Sequence, residues 1–141
     1  VTVMVQKEVA ERMQAKPGGK DYGVLSLSVS YYAEPEIIAN VPPNCFIPRP
    51  EVSSAVIRLK RRSEPPVAPI DRELMFELIR AAFAQRRKKL SNSVANSGGL
   101  GFTKEQVALA LFDMGLDPMI RGEKLSLSEF SELSDRLLEM K

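Results

Sequence analysis

Two different textures on either side of a proline-rich run predict an α+β chain, with strands and short helices over residues 1–62 and a small helical domain over 70–141. Before the run, β-branched apolar stretches alternate with turn residues; after it, apolar residues recur at helical spacing. The run itself is Ser63-Glu64-Pro65-Pro66-Val67-Ala68-Pro69. It can continue neither a helix nor a central strand, because proline lacks a backbone N–H and restricts the residue before it. Residues 63–69 therefore read as a linker.

The elements follow in order. Val1-Thr2-Val3-Met4-Val5 is a β-branched run suited to a strand buried on both faces. Lys7–Lys16 reads as a short helix stopped by Pro17-Gly18-Gly19. Gly23–Tyr32 has two readings. Leu25, Leu27, Val29 and Tyr31 alternate with serines as in a strand, whereas Leu25, Val29 and Tyr32 share one helix face. Residues 36–41 and 54–59 are strand candidates, separated by the stiff segment Pro42-Pro43…Pro48-Arg49-Pro50. Asp71 is placed to cap a helix running to about Ser91, with Leu74, Leu78, Ala82, Met75, Ile79, Phe83 and Leu90 as its apolar stripe. Thr103-Lys104-Glu105-Gln106 and Ser126-Leu127-Ser128-Glu129 both have the form of a capping box. They open a second helix ending near Gly115 and a last one with Phe130, Leu133, Leu137 and Met140 inward.

Composition excludes whole classes of chemistry. The chain has 141 residues, one Cys and no His, and 44% of it is hydrophobic. That apolar fraction is ordinary for a packed protein, and the chain has no apolar stretch of the roughly 18–20 residues that span a bilayer. Without histidine there is no Ser-His-Asp or Cys-His catalysis and no imidazole metal site; with one cysteine there is no disulfide framework. No metal is therefore expected. Glycine-rich dinucleotide and phosphate loops are missing too. Cys45 reads as a small buried hydrophobe, and Asp71, Asp113 and Asp117 as cap and turn residues.

Charge is informative by its distribution. The net charge is only +2, yet residues 78–104 contain no acid and six bases: Arg80, Arg86, Arg87, Lys88, Lys89 and Lys104. A second basic knot, Arg58-Lys60-Arg61-Arg62, precedes the linker. Concentrated positive patches on a nearly neutral chain point to a polyanion. On a helix, four consecutive bases point all the way round, so either they meet phosphates, with Gln85, Ser91 and Asn92 adding neutral hydrogen bonds, or they decorate a solvated helix end. Phe46-Ile47-Pro48-Arg49-Pro50 is the other unusual segment. Its ring, stiffened by Pro48 and Pro50, either stacks on a nucleobase or plugs the core.

These segments carry a resemblance. Phe46-Ile47-Pro48-Arg49-Pro50-Glu51-Val52-Ser53-Ser54-Ala55-Val56 resembles the F-x-P-x-P-x-V-x-S-A-V segment of adenine-N6 rRNA dimethyltransferases. Phe83-Ala84-Gln85-Arg86-Arg87-Lys88-Lys89-Leu90 is similar to the F-A-Q-R-R-K-x-L segment of the bacterial small-subunit branch of that family. Met4–Arg12 and Arg121-Gly122-Glu123-Lys124-Leu125-Ser126 also resemble it, in the same order.

The resemblance implies transfer of methyl groups from S-adenosylmethionine to N6 of two adjacent adenosines near the 3′ end of small-subunit rRNA, in the cytoplasm. It implies that Phe46 stacks on the flipped target adenine and that Pro48 and Pro50 shape its loop. Arg80, Gln85, Arg86, Arg87, Lys88, Lys89 and Asn92 become the expected rRNA contacts, and the small ribosomal subunit the partner. The fold implied is the last strands and helices of a Rossmann-like S-adenosylmethionine methyltransferase sheet in residues 1–62, with Val1–Val5 an inner strand and Tyr22–Tyr32 a helix. Residues 70–141 are then the helical subunit-binding domain of the C-terminal portion. The family's glycine-rich cofactor loop, ribose-binding acid and Asn-Leu-Pro-Tyr motif lie upstream of a segment like VTVMVQ. This chain alone is therefore expected to be inactive and to bind no S-adenosylmethionine. The full-length enzyme is expected to be monomeric and this chain to self-associate through the exposed edge of its sheet. An RNA-binding module without an enzymatic parent and the sister branch that methylates large-subunit rRNA are the alternatives.

Overall fold

The computed structural model describes residues 1–45, 53–97 and 99–140, so Phe46, Pro48 and Pro50 lie outside the described residues. The chain divides into two compact units, Val1–Pro66 and Val67–Lys141, and the division falls in the proline-rich run.

The first unit comprises β1 (Thr2–Gln6), α1 (Lys7–Met13), α2 (Val24–Tyr32), β2 (Ala33–Val41) and β3 (Ser54–Arg61). The strands form a three-stranded sheet in the order β1-β3-β2, with both pairs antiparallel. β1 runs from Thr2 opposite Arg58 to Gln6 opposite Ser54, and β2 from Ala33 opposite Arg61 to Val41 opposite Ser54. A bulge between Ile37 and Ala39 takes Ile38 out of the ladder and leaves it exposed. Ala10 of α1 packs on Ala55 and Ile57 of β3, all three fully buried, and Val3, Val5, Met13, Ile37 and Leu59 close around them. Two small residues facing each other let the helix approach the sheet closely.

The ambiguous Gly23–Tyr32 segment is helical. Its buried residues are Ser26, Leu27 and Tyr31, while Leu25 and Tyr32 are exposed, so the helix turns a different face inward from the one its apolar spacing suggests. Ser26 explains both the start of α2 and the end of α1. Its hydroxyl accepts from the Gly23 amide at 3.2 Å, opening α2, and donates to the Arg12 carbonyl, stopping α1 short of Lys16.

The sheet corrects the expected fold class. Every strand pair among the described residues is antiparallel, and Val1–Val5 is not an inner strand covered on both faces. Along β1, Val3 and Val5 are half-buried, whereas Thr2, Met4 and Gln6 are exposed. A short β-branched run fits a strand covered on one face as well as one covered on two, so residue type alone overstated its burial.

The second unit is helical, with α3 (Arg72–Ala84), α4 (Leu90–Ala95), α5 (Lys104–Asp113) and α6 (Leu127–Glu139). The caps follow the sequence. Asp71 accepts from the Leu74 amide at 3.1 Å, and Thr103 with Gln106 and Ser126 with Glu129 form reciprocal capping boxes. The chain leaves α5 through Gly115, whose φ of 80° suits glycine. Leu74, Met75, Leu78, Ile79 and Ala82 are buried along α3, facing a core that includes Leu111, Phe130, Leu133 and Leu137. Met140, expected inward, is half-buried just past α6.

One helix ends early. The expected helix to Ser91 stops at Ala84, and α4 begins only at Leu90, so the four bases lie on a turn rather than around a helix. Non-local partners cause the break. The Leu90 amide donates to the Ile120 carbonyl at 2.8 Å, and Leu90 is fully buried. Beside it a 3-10 turn, Gly122–Lys124, comes so close to α3 that a Cβ on Gly122 would lie 2.6 Å from the Ala82 Cβ. No side chain fits there without moving the helix.

Candidate nucleic-acid interface

The 85–89 turn is assembled from three directions. Its own backbone closes it, with the Lys88 amide donating to the Gln85 carbonyl at 3.0 Å. From α4, the Ser93 hydroxyl donates to that same carbonyl at 3.2 Å, capping the end of α3. From the 3-10 turn, Glu123 accepts at Oε2 from the Arg86 Nε at 3.0 Å. The guanidinium of Arg86 also lies 5.6 Å from the centroid of the Phe83 ring, which stands 6.4 Å from the ring of Phe130 in the core.

The structure therefore divides the expected contact residues. Gln85, Arg87, Lys88 and Lys89 are exposed together on the turn, and Arg80 is exposed on α3. Among the described residues no carboxylate pairs with Arg87, Lys88 or Lys89. Arg86 differs from them. Its side chain is half-buried (34% exposed) and ion-paired with a Glu123 side chain that is 18% exposed. Asn92 is half-buried in α4. Sequence reasoning missed Glu123 and Phe83 as the groups that hold Arg86. The Arg121-Gly122-Glu123-Lys124 segment was noticeable as a motif, but its spacing gives no hint of a partner 37 residues away.

The second basic knot is partly neutralised within the sheet. Arg58 donates to Glu36 at 2.9 Å across the β2–β3 pair, and Arg62 donates to Glu34 at 3.2 Å and to the Ser30 carbonyl at 2.9 Å. Lys60 and Arg61 remain exposed.

Among the described residues, no group of three or more His, Cys, Asp or Glu could hold a metal, and no helix is long and apolar enough to cross a membrane. A cavity of about 770 Å³ lies at one end of the sheet, between Val1, Glu34, Pro35, Glu36, Arg58 and Lys60. It has no aromatic wall for an adenine, and Glu36 is already bound to Arg58. These residues do not fit S-adenosylmethionine. Cys45 ends a 3-10 turn, Pro43–Cys45, and its side chain lies outside the described residues, as do Phe46, Pro48 and Pro50.

Known proteins match nearly the full length of the chain. The family described as ribosomal RNA adenine dimethylase matches residues 1–136. The chain is 56% identical over 135 residues to the ribosomal RNA small subunit methyltransferase A of Lachnoclostridium phytofermentans, covering 96% of this chain and 47% of that protein. It is 51% identical over 141 residues to the protein of the same name from Geobacillus thermodenitrificans, covering 99% and 48%. Its fold is similar to the crystal structure of a dimethyladenosine transferase from Plasmodium falciparum, with a TM-score of 0.75 at 22% identity, over 94% of this chain and 54% of that one. The chain thus spans about half the length of the curated relatives it matches. The family match begins at the first residue and continues through both units. The expected fold class, the last strands and helices of a Rossmann-like sheet, is replaced by a three-stranded antiparallel sheet with helices within the matched region. With the match extending over nearly its full length, the chain belongs to the ribosomal RNA adenine dimethylase family.

Proposed function

We propose that the chain is part of an enzyme that methylates N6 of two adjacent adenosines near the 3′ end of small-subunit rRNA, and that its helical unit grips the RNA backbone through the 85–89 turn. The observation that carries the reading is the exposed trio Arg87, Lys88 and Lys89, which have no carboxylate partner among the described residues and stand in a stretch of sequence free of acids from 78 to 104. Family membership and the names of the curated relatives supply the substrate class. S-adenosylmethionine would supply the methyl groups to the full-length enzyme. Phe46, held by Pro48 and Pro50, stacks on the target adenine in this reading; Arg80, Gln85 and Asn92 flank the phosphate contacts. Residues 1–62 belong to the methyltransferase domain, 63–69 form the linker, and 70–141 bind the small subunit.

The test compares wild type with the Arg87→Ala/Lys88→Ala/Lys89→Ala variant for binding to small ribosomal subunits across a salt series. Each phosphate contact contributes a slope of about −0.7 to −0.9 in log affinity against log salt, so the triple variant should flatten the slope by about 2. Equal affinities with equal slopes would remove the turn from the interface.

In the same reading the chain by itself is proposed to be inactive and to leave S-adenosylmethionine unbound. Calorimetric titration of the 141-residue chain should release no binding heat; a micromolar dissociation constant would overturn that part of the reading. Self-association through the free edge of β1 belongs to the same proposal, and sedimentation of the calorimetry sample reports on it.

A further inference from the structure

Within a face that collects positive charge, Glu123 is out of place. It follows Arg121 and precedes Lys124, both exposed, and its carboxylate reaches into the base of the Arg86–Lys89 turn. A carboxylate there lowers the positive potential that attracts a polyanion. What it provides instead is geometric. It accepts from Arg86 Nε at 3.0 Å in a largely enclosed setting, and the guanidinium carbon lies 5.6 Å from the centroid of the Phe83 ring. The 3-10 turn that carries Glu123 is itself fixed, by the contact of Gly122 with Ala82 and by the Leu90–Ile120 hydrogen bond alongside.

We propose that Glu123 is a positioning residue and that Arg86 is its bracket rather than an RNA contact. The pair holds the turn in the one form that points Arg87, Lys88 and Lys89 outward as a set. This deepens the reading of the turn as an RNA-backbone grip and rests on it. Ordering a free turn would cost backbone conformational entropy on binding; a turn already fixed at both ends avoids that part of the cost.

The sign of one substitution separates positioning from simple charge. Glu123→Gln removes a negative charge beside the patch, so charge alone predicts tighter binding to a polyanion. Positioning predicts weaker binding: a turn that holds its competent form about one-tenth of the time binds about tenfold more weakly. The experiment measures affinity for small ribosomal subunits at several salt concentrations for the full chain, Glu123→Gln, the charge swap Arg86→Glu/Glu123→Arg, and Arg87→Ala/Lys88→Ala/Lys89→Ala. The expected result is roughly tenfold weaker binding by Glu123→Gln with an unchanged salt slope, since the phosphate contacts keep their number. Faster hydrogen exchange at the Leu90 amide should accompany it, and the charge swap should recover at least half of the lost affinity on a logarithmic scale. Binding by Glu123→Gln equal to or tighter than wild type overturns the proposal. So does a Glu123→Gln protein with a lowered melting temperature and intact affinity, which would make the pair a fold stabiliser only. If Glu123→Gln fails to fold, the charge swap decides alone: affinity within about threefold of wild type supports the bracket, and affinity about tenfold or more below wild type removes it. The triple variant keeps the two readings apart. If it binds poorly while Glu123→Gln binds well, only the positioning role falls; if it binds like wild type, the RNA grip itself falls.

Discussion

Phe130→Ala lowers the unfolding free energy of the helical unit by an expected ~4 kcal/mol, because a large ring leaves a cavity that its neighbours only partly fill. Phe130 is fully buried on α6, in a core that includes Leu133 and Leu137 from the same helix and Met75, Leu78 and Ile79 from α3. A domain the size of Val67–Lys141 carries a total stability of roughly 4–11 kcal/mol, so the loss consumes much of it. Chemical denaturation of the full chain, followed by circular dichroism at 222 nm, measures the change. Phe130→Leu, which retains most of the volume, should cost about 1–1.5 kcal/mol. A loss below about 1 kcal/mol in the alanine variant would mean that α6 is not packed as described. The substitution also reaches the basic turn. Phe83 lies 6.4 Å from Phe130 and supports Arg86, so where the variant remains folded its basic turn should loosen as well.

Much of this architecture is written locally. Asp71, Thr103 and Ser126 each occupy the cap they were expected to occupy, because a cap depends on residues only three positions apart. Most of the inward residues of α3 and α6 follow from spacing for the same reason, while Phe83 and Met140 are only half-buried and Leu90 belongs to α4. The errors share an opposite cause. Ala84-Gln85-Arg86-Arg87-Lys88-Lys89-Leu90 consists almost wholly of good helix formers, so propensity carries the helix through it. The break is imposed from residues 120–123, by a backbone hydrogen bond, an ion pair and a close glycine contact that no local window contains. The burial of β1 was misjudged on similar grounds. Whether a second face of a strand is covered depends on what the rest of the fold places over it, not on the strand's own residues.

The site shows the same division. That residues 78–104 collect positive charge is legible from the sequence, since it needs only a count along the chain. Which base does what is not legible. Arg86 and Arg87 are adjacent and chemically identical, yet one is clamped between Glu123 and Phe83 while its neighbour is exposed. Likewise Arg58 and Arg62 look like part of a second patch until the β2–β3 register brings Glu36 and Glu34 alongside them. Strand pairing decides that outcome, and pairing register is a property of the folded sheet.

Ala55→Asp tests the first unit at its most enclosed point. Ala55 is fully buried in β3, opposite Val5 on one side and Asn40 on the other, and its methyl group meets Ala10 of α1 and Ile57. An aspartate there buries a carboxylate among apolar groups, a penalty of several kcal/mol per unpaired ion, and adds volume where helix and sheet are closest, about 1–3 kcal/mol more. The combined loss, on the order of 5 kcal/mol or above, exceeds what a small three-stranded sheet with two short helices can absorb. The ladder should therefore open, and hydrogen exchange reads it amide by amide. Leu59, which donates to the Val1 carbonyl at 2.7 Å, and Lys7, which donates to the Ser53 carbonyl at 2.9 Å, should lose their protection together. Ala55→Ser, with a hydroxyl in place of the carboxylate, should weaken the unit by only about 1–3 kcal/mol and leave both amides protected. If the aspartate variant kept those amides protected, the carboxylate would have to reach water without parting α1 from β3, and the Ala10–Ala55 contact would not be the centre of the unit. Because the substituted residue and the reporting amides lie in β3 and its immediate partners, the measurement isolates the sheet from the basic turn and bears on the fold alone.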